Sequence, residues 1–169
     1  MSEVIFGAAI PIAEFGLDAI AGVVARGHGV ASGTARDRRF PNGTIRLQLP
    51  FFEGAIANFQ AYLGGSPFAG TINIAVDTEA VVIMRPEFRL PEVRWTDVFG
   101  PETFYLSAAQ LVHGDGRYPV FLYMPDPASK PDHHQPRQVV ELLARRLPEV
   151  SYGNRVTLLF RPDAIAFTP

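Results

Sequence analysis

Thr103-Phe104-Tyr105-Leu106-Ser107-Ala108-Ala109-Gln110-Leu111-Val112 and Arg117-Tyr118-Pro119-Val120-Phe121-Leu122-Tyr123-Met124 lie on either side of Gly114-Asp115-Gly116. Both runs alternate between the two faces of an extended chain, and the glycine-aspartate turn between them is the usual signal of a β-hairpin. Working outward, the chain repeats this pattern of short apolar runs separated by turns. Its 15 glycines and 15 prolines are spread along the whole length. Frequent turns with no long helical period favour a mostly β barrel or sandwich.

Residues Ala19 to Ala25 read as a strand, Thr71 to Val76 as a second and Ala80 to Met84 as a third. Gly153-Asn154 reads as a turn into a last strand, Arg155 to Phe160. Ile45 to Leu49 reads as a possible strand. Phe52, Ile56, Phe59 and Leu63 recur at helical spacing, so Glu53 to Leu63 is expected as an amphipathic helix closed by Gly64 and Gly65. Val139 to Leu147 fits either a strand or a helix. Pro125 to Pro136 reads as a loop.

The length of 169 residues suits one domain with a real core. Hydrophobic residues make up 47% and charged residues 19%, which excludes disorder as a whole. The net charge of -2 leaves no basic stripe for nucleic acid. Lys130 is the one lysine, so positive charge is almost all arginine, whose planar fork suits phosphate and carboxylate. The absence of cysteine excludes disulfides, thiolate catalysis and cysteine-type zinc sites. Val4 to Ala13 is too short to span a membrane and lacks the basic flank of a signal peptide. A cytoplasmic protein without membrane or nucleic-acid partners is therefore expected, with the oligomeric state left open.

Two stretches carry candidate chemistry. Gly27-His28-Gly29-Val30-Ala31 follows a strand, and glycines there let backbone N–H groups approach phosphate oxygens. The same glycines also serve a bent strand, and neither a P-loop nor a dinucleotide fingerprint follows them. Gly70-Thr71-Ile72-Asn73 places Thr71 and Asn73 on one face of a strand. A hydroxyl and an amide oxygen are hard ligands, suited to a Mg²⁺ ion that also holds phosphates. An ordinary half-exposed strand has the same look. His133 and His134 are adjacent and point apart, so they form no ready metal pair. Arg36, Arg38 and Arg39 suit a phosphate clamp or a solvated loop equally. Trp95 and Phe99 suit ring stacking, although core packing is the commoner use.

In combination, Gly-x-Gly-x-Ala at Gly27 to Ala31, a helix ending in Leu63-Gly64, and Pro67-Phe68-Ala69-Gly70-Thr71-Ile72-Asn73-Ile74 resemble the archaeal-type CTP-dependent riboflavin kinases. Val139-Val140-Glu141-Leu142-Leu143-Ala144 and Gly153-Asn154-Arg155-Val156 are similar to two later blocks of that family. The resemblance covers about half the chain in the right order. It implies a six-stranded riboflavin-kinase-like (cradle-loop) barrel with one main helix, and it makes Val139 to Leu143 a strand. It implies that Gly27, His28, Gly29, Val30 and Ala31 cradle a nucleotide, CTP or ATP, and that Thr71 and Asn73 hold Mg²⁺. Glu141 would then orient or deprotonate the hydroxyl of a small acceptor, a flavin in the family.

The chain departs from the pattern in places. Val30 stands near a usual acidic residue, and Arg145 where the family has proline. His133 stands where the family has a flavin-contacting threonine, and Thr34 to Pro50 and Pro125 to Gln135 are longer than their counterparts. The expected function is nucleotide-dependent phosphoryl transfer, with an acceptor that need not be riboflavin. The alternative is a non-catalytic nucleotide- or flavin-binding module.

Overall fold

The computed structural model describes residues 16–27, 29, 31–78, 80–83, 85–129 and 138–168. The hairpin is its longest feature. Strand β5 (Glu102–His113) and strand β6 (Gly116–Pro125) pair antiparallel from Phe104↔Pro125 to His113↔Gly116. Gly114 opens the two-residue turn with φ 56°, a left-handed value that glycine adopts without strain.

Four further strands complete a ring: β1 (Asp18–Ala25), β2 (Ile72–Val76), β7 (Val139–Leu143) and β8 (Arg155–Phe160). The order is β5-β6-β7-β2-β1-β8, and a β5–β8 pairing closes it. Every one of these pairings is antiparallel. The length of β5 makes the closure possible. Its first half pairs with β4 (Phe88–Val93), through Phe88↔Leu106. Its second half, Ala109 to Val112, pairs with β8 along the same edge. The remaining strands, β3 (Ala80–Ile83) and β9 (Ile165–Thr168), form a separate antiparallel pair.

Alternation along the strands sorts the apolar side chains into two cores. Val24, Ile74, Leu111, Val120, Leu142 and Leu158, one from each ring strand, belong to a single buried cluster that fills the ring. The opposite faces of β5, β6 and β7 present Phe104, Leu106, Phe121, Tyr123 and Leu143 to an outer core. That outer core is covered by helix α1 (Ile45–Ala55) and helix α2 (Phe59–Leu63). Ile45, Leu49, Phe52, Ile56, Phe59 and Leu63 form its helical side.

The expectation of six strands closing on themselves is met by this ring, and the strands at β1, β2, β3, β7 and β8 fall where the sequence places them. Three readings need correction. Ile45 to Leu49 is the first half of α1, not a strand. Its alternation is overridden because Ile45, Gln48, Leu49 and Phe52 all bury on one helical face, even with Pro50 inside the helix removing a backbone hydrogen bond. Instead of one main helix over Glu53 to Leu63 there are two. Asn58 takes a left-handed conformation (φ 60°, ψ 29°) and restarts the chain between them. Finally, β8 is not the last strand, because β9 follows it. Among the described residues, no helix is long and apolar enough to cross a membrane.

Candidate functional site

The strand ends dictate where a site forms. β1 and β7 end, and β2 and β8 begin, at one end of the ring. The register places Asn73 opposite both Ala25 of β1 and Glu141 of β7. Partners across a ladder share a face. Asn73 and Glu141 therefore stand together on the outer face, continuous with Leu143 and Tyr123 of the outer core. Thr71 precedes Asn73 by two and joins them: its hydroxyl donates to Glu141 Oε1 at 3.1 Å.

The glycine stretch meets this group from β1. A Cβ added at Gly27 would lie 2.5 Å from Asn73 Nδ2, so only glycine lets the two approach so closely. Farther along, a Cβ at Gly70 would lie 3.0 Å from Ser32 Cβ. Ala31 is tied into the outer layer, its carbonyl accepting the Ile45 N–H at 3.2 Å. Gly29 carries φ 78°, and its carbonyl accepts the Ala35 N–H at 3.0 Å. The loop thus folds back on itself beside the start of β2. Gly27, Thr71, Asn73 and Glu141 are brought together. His28, Val30 and His133 lie outside the described residues, as does most of the loop Pro125 to Gln135.

A cleft of about 350 Å³ opens beside this group; Thr71 and Asn73 line it, and Gly27 and Glu141 do not. Its volume lies in the range of small-ligand sites. Phe68, Thr71, Asn73, Arg145, Arg146 and Tyr152 are among its lining residues. The segment after β7 supplies the charge. Pro67 pairs with Arg145 in an isolated bridge and the Phe68 N–H donates to the Ala144 carbonyl at 2.8 Å, fixing the arginines against the start of β2. Arg146 stacks over Phe68 at 5.2 Å and Arg145 over Tyr118 at 5.6 Å. Arg145 also lies close enough to Glu149 to help hold that carboxyl below its ordinary range. Larger contributions there come from the Glu149 backbone N–H and the Tyr118 hydroxyl.

Beneath the site, the buried Tyr123 hydroxyl donates to Gln48 Oε1 at 2.6 Å. Burial first, then the charges of Glu141 and Glu102, push this phenol well above its usual range, so it stays a neutral donor. Other candidates resolve into structural roles. Trp95 packs against Phe40 at 5.2 Å between ring centres and donates its indole N–H to Glu102 at 2.6 Å. Phe99 packs on the same Phe40 at 5.6 Å. Arg39 is bound by Asp37 at 2.7 Å and stacks on Phe99, so it is no free phosphate clamp.

The donor set can be tested against a cation. Among the described residues, no three His, Cys, Asp or Glu side chains come together, so an all-protein metal cage is not present there. A Mg²⁺ ion needs less, since it keeps several waters and takes its remaining ligands from substrate phosphates. Thr71 gives its proton to Glu141, which leaves its oxygen lone pairs available. The Asn73 amide and the Glu141 carboxylate lie on the same face. Hydroxyl, amide and carboxylate oxygens are the donor types that Mg²⁺ shared with phosphate takes.

Sequence reasoning missed Arg146, Tyr152 and Phe68 as lining residues. Arg145-Arg146 directly after the Glu141 strand was the available signal, since paired charges at a strand end mark a rim. Neither the protein-family models nor the curated protein sequences compared with this chain give a match.

Proposed function

We propose that this chain is a riboflavin-kinase-like barrel that transfers a phosphoryl group from a nucleotide to a small hydroxylated acceptor. The observation that carries the reading is the meeting of Gly27, Thr71, Asn73 and Glu141 on one face, beside a cleft lined by Arg145 and Arg146. They come from three segments far apart in the chain, and each has the chemistry that one step of such a transfer requires.

In this reading the donor's phosphates lie between the arginines and the Thr71–Asn73 side of the cleft. Arg145 and Arg146 neutralise phosphate charge with their planar forks. Thr71 and Asn73 would hold Mg²⁺, which supplies charge neutralisation at the phosphate oxygens. Glu141 accepts the proton of the acceptor hydroxyl. That oxygen then forms a bond to the terminal phosphorus, and the bond from phosphorus to the bridging oxygen breaks, releasing the nucleoside diphosphate. Positioning and electrostatics account for most catalysis of this type, so few reactive side chains are needed. Thr71 orients the Glu141 carboxylate through its 3.1 Å hydrogen bond.

The test is turnover. The protein is incubated with Mg²⁺, CTP or ATP, and riboflavin, and both FMN and nucleoside diphosphate are measured. FMN at about 1 per second or faster identifies riboflavin as acceptor. Diphosphate release with other hydroxylated acceptors, lost in Glu141→Gln, supports the transferase with a different acceptor. Nucleotide binding without any turnover supports the non-catalytic module. No nucleotide binding overturns the reading.

A further inference from the structure

We propose that Tyr152 is a stacking platform for a planar heteroaromatic ring at the mouth of the cleft, so that the bound phosphates belong to a nucleotide whose base lies on Tyr152. This rests on the phosphate site of the proposed function and adds the recognition of the base.

Among the described residues, four large hydrophobic side chains stand exposed: Leu47, Phe51, Val98 and Tyr152. Tyr152 is the most exposed, at 60%, and it alone of the four lines the cleft. The Tyr152 ring belongs to neither core. Arg26 lies over the ring, with its guanidinium carbon 4.2 Å from the ring centre. With that neighbour in place the side chain is still 60% exposed, so much of its surface remains open to a ligand.

The platform is also held in position. Tyr152 lies in a turn between Val150 and Arg155 that is tied to Val24 of β1 by two backbone hydrogen bonds. The Gly153 N–H donates to the Val24 carbonyl at 2.8 Å, and the Val24 N–H donates to the Asn154 carbonyl at 2.9 Å. Within the turn, the Ser151 N–H donates to Asn154 Oδ1 at 2.8 Å. Val24 itself lines the cleft. A ring mounted on a fixed turn loses little freedom when a base stacks on it. Charge is placed to match. Among the described residues Arg26 and Arg146 have no ion pair, so a ligand with both a flat ring and negative charge suits the mouth better than either alone.

The experiment compares ligands with and without a base. Calorimetric titration of the full chain with Mg²⁺ uses CTP, ATP and inorganic tripolyphosphate as probes, on the native protein, Tyr152→Ala and Tyr152→Phe. An exposed tyrosine contributes little to stability, so both variants fold, and their unfolding curves verify this. The native protein binds CTP or ATP more tightly than tripolyphosphate. Tyr152→Ala weakens nucleotide binding about 5- to 150-fold and leaves tripolyphosphate unchanged, while Tyr152→Phe keeps nucleotide affinity. Unchanged nucleotide affinity in Tyr152→Ala overturns the platform and leaves the phosphate site standing. An equal loss for tripolyphosphate also overturns it, because Tyr152 would then shape the cleft and not hold a base. Failure of all three probes to bind the native protein overturns the phosphate site and the platform together.

Discussion

Replacing Gly27 by alanine tests whether the glycine stretch and the Thr71–Asn73 pair share one site. The added Cβ would lie 2.5 Å from Asn73 Nδ2 and 2.9 Å from Asn73 Cγ, against 3.4 Å for ordinary contact. Asn73 is 8% exposed, and its side chain is short, so it has little room to retreat. Overpacking of this kind costs about 1–3 kcal/mol. Gly27 has no left-handed φ, so the substitution also stiffens the unfolded chain, a gain of about 0.4–1 kcal/mol. The net loss is about 1–2 kcal/mol, which for a chain of this size lowers Tm by about 2–8 °C. The decisive assay is a double-mutant cycle by thermal or urea unfolding. With Asn73→Ala in place the clash is gone, and Gly27→Ala becomes neutral or slightly stabilising. An equal cost in both backgrounds, or a stable Gly27→Ala single variant, would refute the close approach.

Three further outcomes follow from the structure. Phe52→Ala, which removes a fully buried ring stacked edge-on against Phe104 at 5.2 Å, costs about 3–5 kcal/mol in urea unfolding; under 1 kcal/mol would contradict the outer core. Glu87 has a 5% exposed carboxylate with both oxygens lacking a hydrogen-bond partner among the described residues, and burial, partly offset by Arg161, raises its pKa to about 6. The folded state therefore holds that proton more tightly than the unfolded state, so this contribution to stability is lost as pH rises from about 4.5 to above 6. Glu87→Gln should raise Tm at pH 7–8 by relieving about 2 kcal/mol and change little near pH 4.5, and a pH-independent effect would show that the carboxyl is not the cause. Asn73→Ala should remove the Mg²⁺-dependent part of nucleotide affinity, measured by titration with and without Mg²⁺, and an undiminished Mg²⁺ effect would place the ion elsewhere.

What could be read from the sequence was what is local. The hairpin from Glu102 to Pro125 is legible because its alternation is long and its turn residues are specific. Ile45-Arg46-Leu47-Gln48-Leu49 alternates like a strand and runs into Pro50, so local rules point away from a helix. Burial of Ile45, Leu49 and Phe52 against the outer face of the ring decides otherwise. Strand β4 hides behind Pro91 and behind Glu92 at φ 52°. Both are tolerated because β4 pairs on one side only, with β5. The site residues were legible singly, through glycine spacing and the Thr71–Asn73 face. Their meeting depends on the Ala25↔Asn73 and Asn73↔Glu141 registers, which join segments that no local pattern connects. Tyr152 becomes visible only once the turn before β8 is folded against the end of the ring.

Mg²⁺-dependent nucleotide binding in the cleft at the end of the ring is tested by thermal unfolding with CTP or ATP, each with and without Mg²⁺. A ligand held only by the folded state at about 100 times its Kd adds about 2.7 kcal/mol, which raises Tm by about 5–11 °C in a chain of this length. That rise is expected with at least one of the two nucleotides, larger with Mg²⁺ than without, and absent in Arg145→Ala/Arg146→Ala. A flat Tm across both nucleotides, with and without Mg²⁺, would contradict it.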